Sequence, residues 1–404
     1  MKIINKSYRT PFYPTKTQKA ALRRCFGVAR WAYNMAVDLR SNCYSERGGW
    51  SVNTNEISKA ITELKTDPDY VWLADVPANM INQSLRDSDT AFTNFFKGQA
   101  KYPKFKARKH QKSCRFQMDQ RILNYIPNEM FKLPKLGNLK IKWPSNIKGR
   151  PKMATVTEDP SGSFWLSFMT EQEHEPHKST GKSVGIDVGI SKLIATSDGD
   201  IAILPEEIKN LEAKIAREQR KQRRQTKGSG RWHRQRKLIA RIHRKITRKR
   251  NDLLHKISSA LVEEYDIICV ETLNIKGMTK NRKLARAILR CAWGRFLEML
   301  AYKCEWNNKQ LVKIDRWFPS TKMCSSCGTI HKLKLSDRTM DCACGNNIDR
   351  DENAALNIRA EGIRLLTQGG VGQCTAGAFG HHIQVNPMNC QLDTKQSVQD
   401  ALTV

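Results

Sequence analysis

No apolar run in these 404 residues approaches the roughly 20 that a membrane helix requires. Tyr265 to Val270 is representative and stops after six. The first twenty residues are polar and broken by Pro11 and Pro14, so no signal peptide is expected there. Neither an amphipathic anchor nor a lipidation motif accompanies the charged segments, which argues against a membrane-surface protein. Cysteine is thin: twelve are spread over the whole chain, too diluted for a disulfide scaffold, and four of them crowd between Cys324 and Cys344. That pattern favours a metal site in a reducing compartment, so an intracellular, cytoplasmic protein is expected. Acid is scarce as well, with 39 Asp and Glu against 70 Lys and Arg, a net charge of +31.

What is present follows from those shortages. The chain is too long for one simple core, so two or three domains are expected. With 39% apolar and 27% charged residues it has the composition of an ordered, soluble protein. A charge of +31 calls for a polyanionic partner, because Lys and Arg that neutralise phosphates release counterions. About half of that charge is local: Lys209 to Lys256 holds nineteen Lys and Arg against three acids. Such an excess cannot be paired internally, since like charges four apart on a helix repel, and a phosphate backbone lying along it is the simplest explanation.

Along the chain, a short strand over residues 2–13 leads into a helix that Thr15 and Gln18 start as a capping box. Leu22, Cys25, Phe26, Ala29, Ala32, Met35, Ala36 and Leu39 recur at helical period. A second helix is expected over about 79–96. The basic stretch Lys97–Lys112 follows, where Tyr102-Pro103-Lys104-Phe105-Lys106 interleaves aromatics with lysines as single-strand binders do. A loop that tucks Phe105 into a core explains the same residues equally well. From Cys114 to Thr170 the period becomes two, through Phe116, Leu123, Phe131, Leu133, Leu139, Ile141 and Trp143, with a turn at Asp159-Pro160-Ser161-Gly162. This predicts a small antiparallel sheet or barrel that also takes in the first strand, with the helical region inserted. The polar run Glu171–Lys182 reads as a linker.

Beyond it, Ser183–Ile190 runs into Leu193–Thr196, and Asp198-Gly199 supplies a hairpin turn. Pro205 starts a helix to about Gln225, and a longer one runs from Arg231 to about Glu264, with a stripe of Ile239, Ile242, Ile246, Leu253, Ile257 and Leu261. Asp266–Glu271 is a strand ending in a carboxylate, residues 288–307 a helix and residues 311–315 a strand. Asp187 and Glu271 each lie in apolar strands, where a carboxylate is costly unless paired or bound to a cation. A third acidic group, Asp349-Arg350-Asp351-Glu352, precedes a helix expected over 353–360. Converging, these segments would hold divalent metal. Between the last two, Cys324-Ser-Ser-Cys327-Gly328 and Cys342-Ala-Cys344-Gly345 stand fourteen residues apart, the spacing of a zinc ribbon with four thiolates and therefore a structural zinc. The second pair has one intervening residue instead of two, which leaves His331 or Asp341 as substitute ligands.

Taken together, Gly185-Ile186-Asp187-Val188-Gly189, Val270-Glu271 with Leu273, the ribbon cysteines and Asp349-Arg350-Asp351-Glu352-Asn353-Ala354-Ala355 resemble the TnpB family. These are transposon-encoded bacterial relatives of the type V CRISPR effector nucleases. Tyr102–Lys106 and the Arg-rich hairpin fit too, so the resemblance spans about residues 1–365.

It implies an α/β RNase H-like (RuvC) nuclease domain at 181–320 and 347–366, carrying the basic hairpin 205–264 and interrupted by a zinc ribbon at 321–346. It also implies a wedge-like β-barrel at 1–12 and 109–180 with a helical recognition insert at 13–108. The implied activity is RNA-guided cleavage of double-stranded DNA beside a short adjacent motif, with a guide RNA derived from the transposon end, in a nucleoid-associated and monomeric protein. A guided DNA-binding repressor or transposition accessory protein of the same fold is the alternative. The resemblance makes Asp187, Glu271 and Asp351 the catalytic acids and leaves Asp349 as a helix cap or a group supporting the ligands from behind. Phosphodiester hydrolysis independently suits two magnesium ions about 4 Å apart on hard oxygen ligands. No Ser-His-Asp, Cys-His or strand-transfer nucleophile motif competes. Lys104, Lys106, Arg223, Arg224, Arg234, Arg241, Arg244 and Arg248 are the expected backbone contacts. Beyond Leu366 a poorly ordered tail is expected over 367–404, with Gly369–Gly372, His381 and His382 in it.

Overall fold

The computed structural model describes residues 1–47, 52–108, 112–118, 130–141, 151–334 and 337–368. Leu123, Trp143, residues 109–111 of the basic stretch and nearly all of the expected tail, including Gly369–Gly372, His381 and His382, lie outside the described residues. The chain forms two compact units, one of residues 3–172 and one of residues 1–2 with 173–404.

In the first unit, strand β1 (Lys2–Phe12) leads to the long helix α1 (Lys16–Arg47). Its start is the expected capping box: Gln18 Oε1 accepts from the Thr15 N–H at 2.9 Å, and Thr15 Oγ1 accepts from the Gln18 N–H at 3.2 Å. Two elements went unread in the sequence, helix α2 (Thr54–Leu64) and a 3₁₀ segment at Pro68–Asp75. The α2 signal was present, since Asn53 and Glu56 close a second capping box. Helix α3 (Ala78–Phe96) follows.

Strands β2 (Lys112–Gln117), β3 (Met130–Leu133), β4 (Gly137–Lys140), β5 (Pro151–Glu158) and β6 (Phe164–His174) come next. Their order β1-β6-β5-β2 brings the first strand into the sheet, as expected, and β3-β4 forms a separate hairpin that touches it through a bridge between Phe12 and Ile141. Asp159 anchors the β5–β6 turn by accepting from the Ser161 and Ser163 N–H groups, while Gly162 takes φ +80°. Phe12, Phe116, Phe164 and Phe168 are fully buried against Leu22 of α1 and Met80 and Ile81 of α3. Because β6 extends to His174, the expected linker is shorter than the sequence suggested.

The second unit opens with β7 (Ser183–Asp187), β8 (Ile194–Thr196) and β9 (Ile201–Ala202), an antiparallel meander whose hairpin turns at Gly199, φ +87°. Helices α4 (Glu206–Arg223) and α5 (Gly230–Glu264) form the basic hairpin, with Pro205 at the N-cap of α4 and the Ser229 hydroxyl accepting from the Trp232 N–H. Near the base of α5 the buried residue is Leu254, with Leu253 only partly covered, so the apolar stripe is rotated by one position from the expected one. Strand β10 (Ile267–Glu271) and the short helix α6 (Ile275–Met278) precede α7 (Ala285–Cys291) and α8 (Trp293–Trp306).

The sequence suggested one helix over 288–307. The break has a cause: Ala292 adopts a left-handed φ of +53°, and the Arg250 guanidinium takes the end carbonyls of Leu289 and Arg290 at 3.2 and 3.3 Å. Strand β11 (Gln310–Ile314), strands β12 (Thr339–Asp341) and β13 (Asn347–Asp349), and helix α9 (Arg350–Gln368) complete the unit.

The sheet order is β11-β10-β7-β8-β9, with β7, β10 and β11 parallel. Helix α9 lies directly on β7 and β10, its Ala354, Ala355 and Ile358 fully buried. Two glycines permit that approach. A Cβ at Gly185 would fall 1.9 Å from the Ala355 carbonyl oxygen and 2.6 Å from the Arg359 nitrogen, and one at Gly362 would fall 2.3 Å from Cys269 Sγ. Gly185→Ala is therefore expected to destabilise by about 3 kcal/mol or more, on the order of 10 °C in thermal unfolding. Gly27→Ala, where a Cβ meets nothing within 4 Å on α1, should leave the melt unchanged or slightly raised.

Candidate metal centres and nucleic-acid surface

Val270 pairs with Ile186 and Glu271 with Ile314, so Asp187 and Glu271 stand one step past a shared register at the same end of adjacent parallel strands. Strand ends of that kind are where sites assemble in α/β sheets. Helix α9 begins at Arg350, three residues earlier than the sequence suggested, which puts Asp351 in its first turn. The reason is Asp349, whose Oδ1 accepts from the N–H groups of Asp351 at 2.9 Å and Glu352 at 3.3 Å and so caps the helix. Capping is one of the two roles expected of Asp349, and it sets Asp351 in the first turn of the helix that packs on β7 and β10.

The three acids influence one another. Burial first, then the negative charges of Glu271 and Asp351, push the Asp187 carboxyl up to about 7, against the opposing pull of the Val188 N–H and Arg350. Burial also raises Glu271, offset by a hydrogen bond that the Ser320 hydroxyl donates to its Oε1. For Asp349 burial works the other way from its partners, and Lys192 with the two capping N–H groups holds it below the usual carboxylate range. Lys192 Nζ lies 2.6 Å from Asp349 and 3.6 Å from Asp351, a counter-charge the sequence did not announce. Gly189 makes its turn possible, since a Cβ there would meet the Lys192 carbonyl oxygen at 2.8 Å. A divalent cation suits this donor set: hard oxygens, and a carboxyl whose ionised form burial and the neighbouring acids disfavour and positive charge would stabilise.

The four cysteines form the other centre. Their Sγ atoms all lie within 4.8 Å of one another, and among the described residues no other group of three or more potential ligands is gathered that closely. Cys324 and Cys344 are 3.7 Å apart and Cys327 and Cys342 3.5 Å, near the edge of about 3.8 Å for a tetrahedron of zinc–sulfur bonds. Cys344 therefore reaches the cluster despite the short spacing. Gly345 at φ +88° and a Cys342 N–H to Asn346 carbonyl bond of 3.0 Å close that knuckle. No substitute ligand is needed. His331 instead places Nε2 3.2 Å from Cys342 Sγ, outside the thiol set, and Asp341 is exposed on β12. The Asn346 amide donates to Cys324 Sγ at 3.3 Å and, with backbone N–H groups, lowers that thiol to about 6.

What ties the two centres together is a pair of asparagines. Asn353, fully buried on α9, donates to the Met323 carbonyl at 2.7 Å and accepts from the Ser325 N–H at 2.8 Å. One turn later Asn357 donates to the carbonyls of Ser320 and Met323 at 2.8 and 2.6 Å. The segment Ser320–Ser325 thus bonds Glu271 at one end, grips the helix that carries Asp351 in the middle, and enters the first knuckle at Cys324. Two asparagines spaced four apart on a helix were the available signal.

The expected nucleic-acid residues fall in both units. In the first, Lys104 and Lys106 are exposed on an irregular segment held to α1: the Lys106 N–H donates to Asn34 Oδ1 at 2.7 Å, and its Nζ lies 3.6 Å from the Tyr33 ring centroid. Phe105 is 58% exposed and Pro103 is the buried residue, so the reading that tucks Phe105 into a core does not hold. In the second unit, Arg223, Arg224, Arg234, Arg241 and Arg248 are exposed on the hairpin, with Arg244 half-buried. Arg241, Arg244, Lys245, Arg248 and Lys249 line one face of α5. A second groove is walled by Lys209, Arg217 and Arg220 of α4 and Arg286 and Arg290 of α7.

Known proteins match over most of the chain. A family profile described as "Probable transposase" matches residues 167–282, and one described as "Cas12f1-like, TNB domain" matches 293–358. A third, described as a helix-turn-helix domain, matches residues 1–49, where the described residues form one strand and one helix. A protein of Streptomyces pristinaespiralis, named as a candidate RNA-guided DNA endonuclease, is 37% identical over 367 residues, 90% of each chain. A similarly named protein of Escherichia coli is 30% identical over 90% of this chain and 94% of its own. A TnpB-like protein of Acanthamoeba polyphaga mimivirus is 26% identical over 89% of this chain and 73% of its own. Among solved structures, Cas12f1 in a complex with guide RNA and target DNA aligns with a TM-score of 0.54 at 12% identity, covering 88% of this chain and 99% of that one.

Two outcomes check these centres. Asp187 holds a proton in the folded state that it loses when unfolded, between about pH 4 and 7. Stability is therefore lost as pH rises through that window, and the loss is complete above it. In magnesium-free buffer Asp187→Asn should melt about 5 °C above wild type at pH 8 but under about 2 °C above it at pH 5, and magnesium should narrow the gap at pH 8. An equal gap at both pH values would count against the charge crowding. For the thiols, elemental analysis should find about one zinc per chain in wild type and in His331→Ala, and almost none in Cys344→Ala.

Proposed function

The chain belongs to the TnpB family, and from that premise we propose that it is an RNA-guided DNA endonuclease whose three acids hydrolyse phosphodiesters with two magnesium ions. The observation that carries the reading is the convergence of Asp187, Glu271 and Asp351 at one end of one sheet, close enough that two of them raise the third. The strand order, three antiparallel strands followed by two parallel ones, agrees with an RNase H-type nuclease core. The thiol cluster agrees with a structural zinc ribbon, and the sheet and hairpin of the first unit with a wedge-like barrel bearing a helical insert.

Bound by these carboxylates, divalent ions supply charge neutralisation at the phosphate and an acidified water. The rest belongs to the chain. Ser320 fixes the Glu271 carboxylate, Asp349 holds the first turn of α9 so that Asp351 cannot swing away, and Lys192 keeps positive charge beside them. Lys104, Lys106 and the arginines of α4 and α5 give a backbone-reading surface, which suits a protein that leaves sequence recognition to RNA–DNA pairing. We place it in the bacterial cytoplasm as a monomer loaded with RNA from its own transposon end, acting on double-stranded DNA beside a short motif. No helix among the described residues is long and apolar enough to cross a membrane.

The protein co-expressed with transposon-end RNA should cut matching DNA in magnesium, and Asp351→Ala should lower the rate by at least about a thousandfold while guided binding persists. Cleavage that survives in Asp351→Ala would refute the site; tight guided binding without wild-type cleavage would point to the repressor. Charge removal at Arg241, Arg244 and Arg248 together should flatten the salt dependence of binding by about three in log–log slope.

A further inference from the structure

We propose that Trp317 is a stacking platform that seats a base of the single-stranded DNA at the acidic site. This assignment rests on the nuclease reading above. Trp317 is 77% exposed and is the only large aromatic so exposed among the described residues of its unit. An indole left in water forgoes the burial that aromatic residues ordinarily gain, and here the fold holds it outward.

The loop that carries it is tied at both ends to one carboxylate residue. At its start, Ile314 pairs with Glu271, and the Ile314 carbonyl accepts from the Thr272 N–H. At its end, the Ser320 hydroxyl bonds Glu271 directly. Trp317 stands three residues from each anchor, so its Cα lies within about 11 Å of either. Inside the loop the Asp315 carboxylate accepts from the Trp317 N–H at 2.7 Å, and the Asp315 carbonyl accepts from the Phe318 N–H at 3.2 Å. This turn sends the two aromatics opposite ways. Phe318 packs inward on Cys269, Ile314 and Ile358, while Trp317 faces out.

The chemistry of the exposed ring selects its occupant. The Arg316 guanidinium lies 4.5 Å from the indole centroid, which sets a cation beside the exposed π-system. An aromatic face joined to a backbone-neutralising cation is how proteins hold unpaired nucleotides without reading their identity. A duplex hides its base faces, so the ligand is a single strand. Trp317 acts through the placement of that strand and is a positioning residue.

The test uses full-length wild type, Trp317→Ala and Trp317→Phe. Binding of a fluorescein-labelled fifteen-nucleotide oligothymidine is followed by anisotropy in magnesium-free buffer, and single-turnover cleavage is followed for the RNA-loaded complexes. Trp317→Ala is expected to bind the oligothymidine about tenfold more weakly and to cut about tenfold more slowly, with guided duplex binding and melting temperature unchanged. Trp317→Phe should stay within about threefold of wild type in both assays. Wild-type affinity in Trp317→Ala, or a Trp317→Phe protein as impaired as the alanine variant, overturns the platform. Weakened oligothymidine binding in a protein whose wild type never cuts upholds the platform and removes the nuclease reading. Normal binding and cleavage in Trp317→Ala, with Asp351→Ala inactive, does the reverse.

Discussion

Carboxylates gathered at one edge of a sheet repel each other, and the second unit is arranged to hold them together regardless. Neither Asp187 nor Glu271 can retreat, because each ends a parallel strand whose neighbours fix its register. Asp351 arrives on a separate helix and needs a stronger hold. It comes from contact without side chains: Gly185 and Gly362 let α9 lie against β7 and β10 at backbone distance. Asn353 and Asn357 then fasten the same helix to the chain entering the first thiol knuckle. Burial first, and then repulsion from Glu271 and Asp351, are here expressed as a raised proton affinity at Asp187.

The division between what the sequence made legible and what it hid follows from this arrangement. Asp187 and Glu271 could be found because charge in an apolar strand is costly and so conspicuous. The thiol set could be found because ligand spacing is a local property, and even the short Cys342-Ala-Cys344 knuckle closes on the other pair. The antiparallel sheet and its Asp159–Gly162 turn were readable from period and turn chemistry, whereas the return of the first strand carries no local signal and is settled by its pairing with β6. Less visible was anything decided by a distant partner. The break at Ala292 depends on Arg250, some forty residues upstream, capping a helix it does not belong to. The early start of α9 depends on Asp349 acting as its cap, and Lys192 reaches the acids only because a turn at Gly189 delivers it. Asn353 and Asn357 looked like ordinary polar positions until their carbonyl partners were known.

The basic surfaces carry a different kind of information. On α4 and α5 apolar positions such as Ile208, Ile215, Ile239, Ile242 and Ile246 make a narrow core of their own, and the cations are left on the outside. Glu207, Glu212 and Glu218 pair with Lys249, Arg290 and Lys221, so the acids that exist are used locally. The positive charge along these helices still exceeds what those acids neutralise. It raises the local concentration of any polyanion and gives binding a strong salt dependence. In the first unit Lys106 is held more tightly, by Asn34 and by the Tyr33 ring, so that segment offers its charge from a fixed backbone.

The distance in sequence between Asp187 and Asp351 has a temporal meaning during synthesis. A ribosome adding 5–20 residues per second needs roughly ten to thirty seconds to pass from one to the other. Through that interval β7 lacks the helix that covers Gly185, and over its second half, once β10 has emerged, the nascent chain holds Asp187 and Glu271 without Asp351. The acidic cluster is therefore completed only when the α9 segment has been made. Its completion waits on the knuckle segment that Asn353 and Asn357 grip, so a chain that stops short of α9 carries the basic hairpin without the assembled acids.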